Sequence, residues 1–272
     1  MKLSIIIITK NEEKNIGRLL DSLEKIKNNL HEVIIVDAGS TDRTVDIAKK
    51  YDFTKVCVFP DATRGAGRNY GIQKATGDII AFLNADTEIT GEWIIELLTS
   101  FELGFDIVAG YSPDPQGKHL PRVSIYVNGQ DITYPTCNIA YRKEVFDEVG
   151  MFNERLITAE DIDLNYRAIK HGYTIFYNPK MKALHYHRRT LIGFLKQAFW
   201  NGYGRMQLNK LHPELKYKHE HGFKLKNMVR LIFGAIGYAY CGWKMLPIIA
   251  RFAIVSMVIL LLIFVPILRG IL

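Results

Sequence analysis

The sequence predicts an α/β fold in which a mostly parallel sheet is flanked by helices. Four apolar, β-branched runs are typical of strands buried on both faces; they occupy residues 3–9, 32–37, 55–59 and 78–83. Stretches with helical spacing of apolar residues lie between these runs, as at Ile16, Leu19 and Leu23. Strands and helices that alternate at such short spacing indicate parallel strands joined by right-handed crossovers.

The individual elements follow from local signals. Asn11 is a candidate N-cap for the first helix. Further helices are predicted at about 43–51, 65–75, 93–101, 142–149 and 161–171. Gly172 ends the last of these helices. Further strands are predicted at 106–111, 173–177 and 182–186, and the proline-rich stretch 112–121 is predicted to be a loop.

The formal net charge of +7 is concentrated before the apolar C-terminal part of the chain. The basic residues there are Lys210, Lys216, Lys218, Lys224, Lys226 and Arg230. Such a run suits an anionic lipid surface, and a solvated charged loop is the alternative interpretation. No nucleic-acid-binding motif accompanies the charge, so nucleic acid is not expected as a partner.

Cys57, Cys137 and Cys241 are far apart in the sequence, and their spacing matches neither a zinc site nor a disulfide framework. Reduced thiols in the cytoplasm are the simplest account. The chain begins with a strand-like run rather than a signal peptide. We therefore expect the catalytic part on the cytoplasmic side of the cell membrane.

Three regions are predicted: a catalytic domain at 1–210, a basic linker at 211–228 and membrane-associated helical segments at 229–272. Residues 252–268 carry no charge and approach the length needed to span a bilayer. The stretch 229–250 is interrupted by Lys244 and Pro247. It can span, form half of a hairpin or lie in the interface, and a buried helical hairpin is the remaining reading.

Carboxylates recur where the predicted strands and helices meet. Asp37 ends the second strand, and Asn84 and Asp86 end the fourth, where alternation places both on one side. Ligands of such sheets bind beyond the carboxyl ends of the strands. An oxygen pair there can bind Mg²⁺ or Mn²⁺. Glu160 and Asp161 precede an amphipathic helix. The alternative to a functional role is that these carboxylates only compensate the positive end of the helix dipole.

Residues 64–69 (RGAGRN) combine cations, glycines and a predicted helix N-terminus, which suits phosphate. The stretch follows the third strand and lacks the third glycine of the dinucleotide-binding fingerprint, which argues against a nicotinamide-dependent oxidoreductase. His185 and His187 follow a strand, and either imidazole can complete a cation site.

Taken in order, several motifs resemble the family-2 glycosyltransferases, which have the Rossmann-like GT-A fold. The matching stretches are 6–12 (IIITKNE), 36–42 (VDAGSTD), 67–71 (GRNYG), 75–86 (ATGDIIAFLNAD), 149–152 (VGMF), 160–164 (EDIDL) and 171–173 (HGY). They cover roughly residues 3–190. Their order and spacing make the resemblance specific.

The resemblance implies an inverting transfer from a nucleotide sugar to a lipid-linked or other membrane-proximal glycan acceptor. Asp161 would be the general base, with Glu160 beside it. Asp86 would hold the divalent cation, Mg²⁺ or Mn²⁺, and His185 or alternatively His187 would assist. The expected nucleotide contacts are Thr9, Glu12, Asp37, Arg64, Arg68, Asn69 and Asn84.

Two departures from the family pattern qualify this expectation. The first position of the Asp-x-Asp motif is Asn84, which removes one negative charge from the cation site. Residues 197–200 (QAFW) do not form the Gln-x-x-Arg-Trp motif, which argues against a processive polysaccharide synthase. A catalytically silent nucleotide-sugar-binding protein is the alternative function, and a nucleotidyltransferase is disfavoured because Thr9–Glu13 lacks its glycine-rich signature.

Overall fold

The computed structural model describes residues 1–117, 123–186, 190–215, 217–219 and 225–247. The strands are β1 (Leu3–Thr9), β2 (Glu32–Asp37), β3 (Thr54–Val58), β4 (Ile79–Asn84), β5 (Thr87–Ile89), β6 (Ile107–Tyr111), β7 (Val123–Val127), β8 (Gln130–Asp131), β9 (Asn138–Arg142), β10 (Ile175–His185) and β11 (Tyr217–His219). The α-helices are α1 (Ile16–Glu24), α2 (Thr44–Ala48), α3 (Arg64–Lys74), α4 (Trp93–Glu102), α5 (Lys143–Val149), α6 (Glu160–His171), α7 (Leu191–Leu211) and α8 (Leu225–Met245).

The main sheet has eight strands in the order β3-β2-β1-β4-β9-β6-β10-β5. The pairs among β3, β2, β1 and β4 are parallel, as is the pair of β6 and β10. β9 is antiparallel to both of its neighbours, and β5 is antiparallel to β10. The predicted mostly parallel α/β sheet is therefore confirmed, with one reversed strand, β9, inside it and another, β5, at its edge.

β1 shows why these sequences become central strands. Its side chains alternate between the two faces, so Ile5 and Ile7 join one core cluster while Ile6 joins the other. The first cluster contains Trp93 and Phe101 of α4, and the second contains Phe82 and Tyr141. Full burial of each such side chain contributes about 1.5–3 kcal/mol, which is why a run of isoleucines specifies a strand covered on both sides.

The parallel register brings the carboxyl ends of three strands to one edge of the sheet. Thr9 at the end of β1 lies beside Asp37 at the end of β2. On the other side of β1, Ile8 lies beside Asn84 at the end of β4. The edge where a ligand was expected is thus the edge that gathers the predicted polar residues.

Three local predictions need correction. Asn11 does not cap α1, whose N-cap position is Asn15; Asn11 instead has a positive φ of 56° and binds the loop after β2. The two strands predicted at 173–177 and 182–186 form one strand, β10, with an irregularity between Asn178 and Lys182. β9 was not predicted, because its sequence (NIAYR) carries no clear period and its burial comes from pairing with β4 and β6.

The C-terminal part of the described chain forms a helical hairpin. α8 packs on α7 so closely that a Cβ at Gly237 would lie 1.9 Å from the carbonyl oxygen of Phe199. β11 pairs with β7, which also pairs with β8, in a separate three-stranded sheet. In the described residues, no helix combines the length and the apolar character needed to cross a membrane. The predicted spanning segment, 252–268, lies outside the described residues.

Candidate active site

Asp37 ends β2 with only 1% of its surface exposed. Its Oδ1 accepts hydrogen bonds from the backbone amides of Gly39 and Ser40, at 3.0 and 2.7 Å. Its Oδ2 accepts from the hydroxyls of Thr9 and Ser40, at 2.9 and 2.5 Å. Since a carboxylate offers about four lone-pair sites, these bonds fill them. The fold brings Thr9 and Asp37 together, and contact of Asp37 with a base stays a prediction that requires one of these bonds to open.

Glu12 lies against the first residue of α2. Its backbone amide donates to the hydroxyl of Thr44 at 2.7 Å, and its Oε2 accepts from the side-chain amide of Asn15 at 2.8 Å. Arg64 is exposed at the first turn of α3, which is capped by the hydroxyl of Thr63. A cation at a helix N-terminus suits a phosphate. The predicted nucleotide contacts of Glu12 and Arg64 are compatible with these positions.

Asp86 and His185 meet where β4 ends and β10 ends. The His185 Nε2 atom lies 3.2 Å from Asp86 Oδ1, and both side chains are largely buried. The backbone of the next residue, Tyr186, donates to the carbonyl of Asp86 at 2.9 Å. Asn84 keeps its side chain partly exposed two residues before Asp86, while its carbonyl accepts from Thr87. The structure therefore joins the predicted cation-binding residues Asp86 and His185, and His187 lies outside the described residues.

His185 is strongly perturbed by its surroundings. Burial alone would lower its pKa, but hydrogen bonds with Asp86 and Cys137 and the charges of these groups outweigh burial and raise the pKa to about 10. An imidazolium cannot ligate a metal, so a cation that binds there must displace a proton.

The residues at this point fit a divalent cation that is completed by ligand oxygens. In the described residues, no group of three His, Cys, Asp or Glu side chains converges as a metal cluster, so the chain supplies a pair and not a closed cage. Arg18 Nη1 and Ser112 Oγ are buried without a hydrogen-bond partner. Arg18 stacks on Tyr186, and Ser112 precedes Pro113, whose carbonyl accepts from the His185 amide. Both atoms can donate, so an oxygen of water or of a ligand phosphate would satisfy each of them.

Asp161 lies in the first turn of α6 and is half-buried. Its Oδ2 accepts from the backbone amide of Thr136 at 3.4 Å, and its Oδ1 accepts from its neighbour Ile162 at 2.9 Å. Burial, and then the adjacent Glu160 carboxylate, raise the pKa of Asp161 to about 6, against the opposing influence of Arg68. A carboxyl group with this pKa is suited to take up a proton near neutral pH.

Glu160 and Arg68 form a buried ion pair beside Asp161. Arg68 Nη1 lies 2.5 Å from Glu160 Oε1, and the side chains are 5% and 3% exposed. The guanidinium also faces the ring of Phe152, at 5.5 Å from its centroid. Glu160 and Arg68 therefore satisfy each other inside the protein. The catalytic role of Glu160 and the nucleotide contact of Arg68 stay predictions. In the structure, the ion pair between them sets the charge around Asp161.

Asn69 also has an interior role in this structure. Its side-chain amide donates to the Phe152 carbonyl at 2.9 Å and to Glu154 at 2.8 Å, while its oxygen accepts from the Phe152 amide. It thus ties α3 to the chain segment that leads to α6. None of these bonds involves a residue at the strand ends, and contact of Asn69 with the nucleotide stays a prediction.

The segment before Asp161 is held in an unusual conformation. Ala159 has a φ of 68°, a left-handed conformation that costs a non-glycine residue roughly 1–2 kcal/mol. The preceding Thr158 donates its hydroxyl hydrogen bond to the Trp200 carbonyl of α7, and Gly204 leaves room for that hydroxyl. Packing of α7 over this segment stabilises the turn that presents Asp161.

The sequence indicates residues 134–141 as part of the acceptor side next to the Asp161 helix, but it does not predict the individual contacts that this segment makes. Thr136 binds Asp161 through its backbone amide, and the next residue, Cys137, contributes to the raised pKa of His185. Both are buried, at 3% and 2% exposure. A sequence cannot show a contact made by a backbone amide. The one available signal was a cysteine, a residue type that is often buried, between two motifs.

The fold and this site together define a GT-A-like transferase that uses nucleotide-sugar donors. The chain belongs to the family described as Glycosyl transferase family 2, whose sequence profile matches residues 4–150. It is therefore a glycosyltransferase, and the resemblance stated from the motifs is confirmed.

Several relatives and solved structures are similar to the chain. Glycosyltransferase AglE of Haloferax volcanii is 29% identical over 224 residues, which cover 75% of this chain and 73% of AglE. A dolichyl N-acetyl-alpha-D-glucosaminyl phosphate 3-beta-D-2,3-diacetamido-2,3-dideoxy-beta-D-glucuronosyltransferase of Methanococcus voltae is 24% identical, with 88% and 84% covered. The chain spans 48% of the pre-mycofactocin glycosyltransferase of Mycobacterium tuberculosis, at 26% identity and 78% coverage of this chain.

Among solved structures, the mannosyltransferase PcManGT of Pyrobaculum calidifontis in complex with GDP-Man and Mn²⁺ has a TM-score of 0.63 at 15% identity. The similarity covers 96% of this chain and 80% of that chain. At this level of identity the similarity confirms the fold.

Proposed function

We propose that the protein transfers a sugar, with inversion, from a nucleotide-sugar donor to a lipid-linked or membrane-proximal glycan acceptor. The observation that carries this proposal is the environment of Asp161, a half-buried carboxyl group with a pKa of about 6 at the edge of a GT-A-like sheet. Such a group is poised to remove the proton of an acceptor hydroxyl as it attacks the anomeric carbon.

The side chains divide the reaction between them. Thr9, Glu12, Asp37 and Arg64 would contact the nucleotide at the ends of β1 and β2 and at the start of α3. Asn84, Asp86 and His185 would bind the diphosphate end of the donor, together with a divalent cation. Mg²⁺ or Mn²⁺ bound there would supply positive charge that stabilises the departing nucleoside diphosphate. The Thr136 and Ile162 amides hold the Asp161 carboxylate in place for the acceptor.

The acceptor assignment rests on the chain itself and on its relatives. The Methanococcus voltae relative is described as acting on a dolichyl-linked sugar phosphate. The basic run at 210–230 and the uncharged stretch 252–268 suit a chain that works at the cell membrane, with the catalytic domain on the cytoplasmic side. Flotation of the full chain with anionic vesicles, compared with neutral ones, tests this location.

The first prediction concerns pH. The kcat/KM for the donor and a hydroxyl acceptor should rise with pH through a midpoint near 6, because only ionised Asp161 can accept a proton and its pKa is about 6. Below that pH the carboxyl group is protonated and activity should fall tenfold per unit. The measurement is the rate of product formation between pH 4.5 and 8. A profile that stays flat to pH 4.5 would contradict the base assignment.

The second prediction concerns Asp86. Asp86→Ala should lower metal-dependent donor turnover by at least about 10²-fold, because a metal ion supplies several kcal/mol of charge stabilisation. The assay measures nucleoside diphosphate release across a panel of nucleotide sugars with Mn²⁺ or Mg²⁺. Glu102→Ala, at the exposed end of α4, is the control carboxylate and should be unaffected. Equal turnover of wild type and the Asp86 variant would remove the cation site from the proposal.

A further inference from the structure

The helix α8 differs from an ordinary surface helix because its sequence is apolar all the way round. Residues 231–243 (LIFGAIGYAYCGW) contain no Asp, Glu, Lys or Arg. A helix at the surface of a globular protein normally has a polar face that meets water opposite the face that meets the core. A helix without a polar face is expected where protein covers one side and a second apolar environment covers the other.

The neighbouring helix α7 covers one side of α8. The backbone of Phe199 leaves no room for a side chain at Gly237, and a Cβ at Gly242 would lie 3.3 Å from the Met206 methyl carbon. Cys241, one turn after Gly237, is fully buried. These positions define the side of α8 that packs against protein.

The opposite side of α8 is apolar and exposed. Ile232, Ile236 and Tyr240 follow one another at four-residue spacing and are 50%, 49% and 41% exposed. Lys244 lies one turn further along, with its Nζ 5.3 Å from the centroid of the Tyr240 ring. The outward face of α8, formed by these four residues, is therefore an apolar stripe that ends in a cation.

Charge and length both favour a bilayer as the partner of the outward face. Arg230 and Lys244 bracket the apolar residues 231–243 in the sequence, and cations at both ends suit anionic headgroups. The bracketed segment is about 20 Å long, whereas a helix that crosses a membrane must cover about 30 Å of hydrocarbon. The uncharged stretch 252–268 begins shortly after the end of α8, so a chain anchored there would hold α8 at the membrane surface.

We propose that the outward face of α8 lies in the headgroup region of an anionic bilayer, with the helix axis along the membrane plane. A helix in this position buries its apolar side chains by about 5–10 Å, while its cations stay among the headgroups. This inference deepens the proposed function and rests on it for the membrane-proximal acceptor.

The docked helix would lie close to the proposed catalytic base. Phe199 of α7 contacts α8 at Gly237, and the next residue, Trp200, accepts the hydrogen bond of Thr158 at 2.9 Å. Since packed helices lie about 8–10 Å apart, Thr158 lies within about 20 Å of the axis of α8. Asp161 follows three residues later in the chain. The acceptor that fits this arrangement is a lipid whose reactive sugar lies near the membrane surface.

The test measures the membrane depth of a fluorescent label on the full chain, reconstituted in vesicles of phosphatidylcholine and phosphatidylglycerol. A nitrobenzoxadiazole label is attached at Ile236→Cys, and at Ile95→Cys of α4 as the matched control, since Ile95 is also a helical isoleucine and is 63% exposed. Both variants carry Cys57→Ser, because Cys57 is partly exposed whereas Cys137 and Cys241 are buried. Lipids with a doxyl group near the headgroup or near the end of the acyl chain quench the label according to its depth.

We expect the doxyl group near the headgroup to quench the α8 label at least about twofold more strongly than the one near the chain end, and neither to quench the α4 label. Stronger quenching from the chain end would show that α8 crosses the bilayer and would overturn the inference. Absence of quenching would show that another part of the chain or a second copy covers the face, with the same consequence.

The anionic lipid has its own control. With phosphatidylcholine alone, quenching of the α8 label should fall to about half or less, because the attraction between cations and anionic headgroups is lost. Equal quenching in both kinds of vesicle would overturn the requirement for an anionic surface.

A pair of charge variants links the outward face to the reaction. The double variant Ile232→Glu, Ile236→Glu places two carboxylates on the outward face, where anionic headgroups repel them. The control Ile95→Glu, Leu103→Glu adds the same charge at exposed positions of α4 and its C-cap. Transfer to a lipid-linked acceptor in vesicles should fall at least about tenfold in the α8 variant only, while nucleoside diphosphate release from the donor alone stays at the wild-type rate in both. Equal transfer by the two variants would count against the docking surface.

The two measurements separate this inference from the function on which it rests. If the wild type releases no nucleoside diphosphate from any nucleotide sugar but the α8 label shows the expected depth, the proposed function fails and the docking surface stands. If turnover is normal but the α8 label is not quenched, the docking surface fails and the proposed function stands.

Discussion

Asp161→Asn should lower kcat with a hydroxyl acceptor by about 10²–10⁴-fold, the usual contribution of a general base. The substitution keeps the shape of the side chain, and the amide oxygen can still accept from Thr136 or Ile162. What it removes is the ability to take up a proton. The measurement is single-turnover product formation at pH 7.5, where the wild-type carboxyl group is ionised.

The same variant should be at least as stable as the wild type. The folded-state pKa of Asp161, about 6, lies above its unfolded value near 4, so ionisation of this group costs stability as the pH rises from 4 to 6. Asn removes that cost, and on the order of 1–3 kcal/mol should be gained at pH 8 but not at pH 4. Urea unfolding at the two pH values measures the gain and shows that lost activity does not reflect lost structure.

Turnover like that of the wild type would contradict the role of Asp161 and would point to a different acceptor. The oxygen of a phosphate acceptor is already ionised and needs no base, whereas a sugar hydroxyl does. A large loss therefore supports a hydroxyl acceptor, and the Asp161→Asn variant reports on acceptor chemistry as well as on mechanism. Asp163→Asn is not a neutral control, because Asp163 binds Arg167 and His212 in the interior.

The central strands could be predicted because their continuous apolar sequences indicate burial on both faces. Isoleucines on both faces of β1 are stable only when helices cover both faces of the sheet. A short apolar run is therefore enough to predict a central strand. The polar residues that follow these strands were then placed at one edge by topology alone. Asp37 and Asp86 were found in this way, and the register of β1 with β2 and β4 confirms that their strands end together.

Contacts between distant segments could not be predicted in the same way. Arg68 was interpreted as a phosphate ligand because it lies in a glycine-rich stretch, yet its partner is Glu160, 92 residues further along the chain. β9 was missed because its stability comes from its two neighbours, β4 and β6. A sequence shows which groups are available, but the partner that neutralises a buried charge is set by packing.

The Arg68–Glu160 pair is the basis of the second large prediction. Arg68→Met should lower the free energy of unfolding by about 3–5 kcal/mol, because it leaves the Glu160 carboxylate buried without its partner. Lys27→Met is the matched control: its pair with Asp52 is exposed, so its loss should cost less than about 1 kcal/mol. Urea unfolding at pH 7 measures both. A loss below 1 kcal/mol for Arg68→Met would show that the buried pair is not a major source of stability.

The double variant Arg68→Met, Glu160→Met then separates stability from catalysis. Replacing both members of a buried ion pair by apolar residues is often close to neutral, so much of the lost stability should return.

The pH profile of each single variant should move as well, because Glu160 raises the pKa of Asp161 and Arg68 lowers it. The acid limb should shift to higher pH in Arg68→Met and to lower pH in Glu160→Gln. Opposite shifts in two variants that are both less stable cannot come from unfolding, so they would identify Asp161 as the group whose ionisation limits the rate.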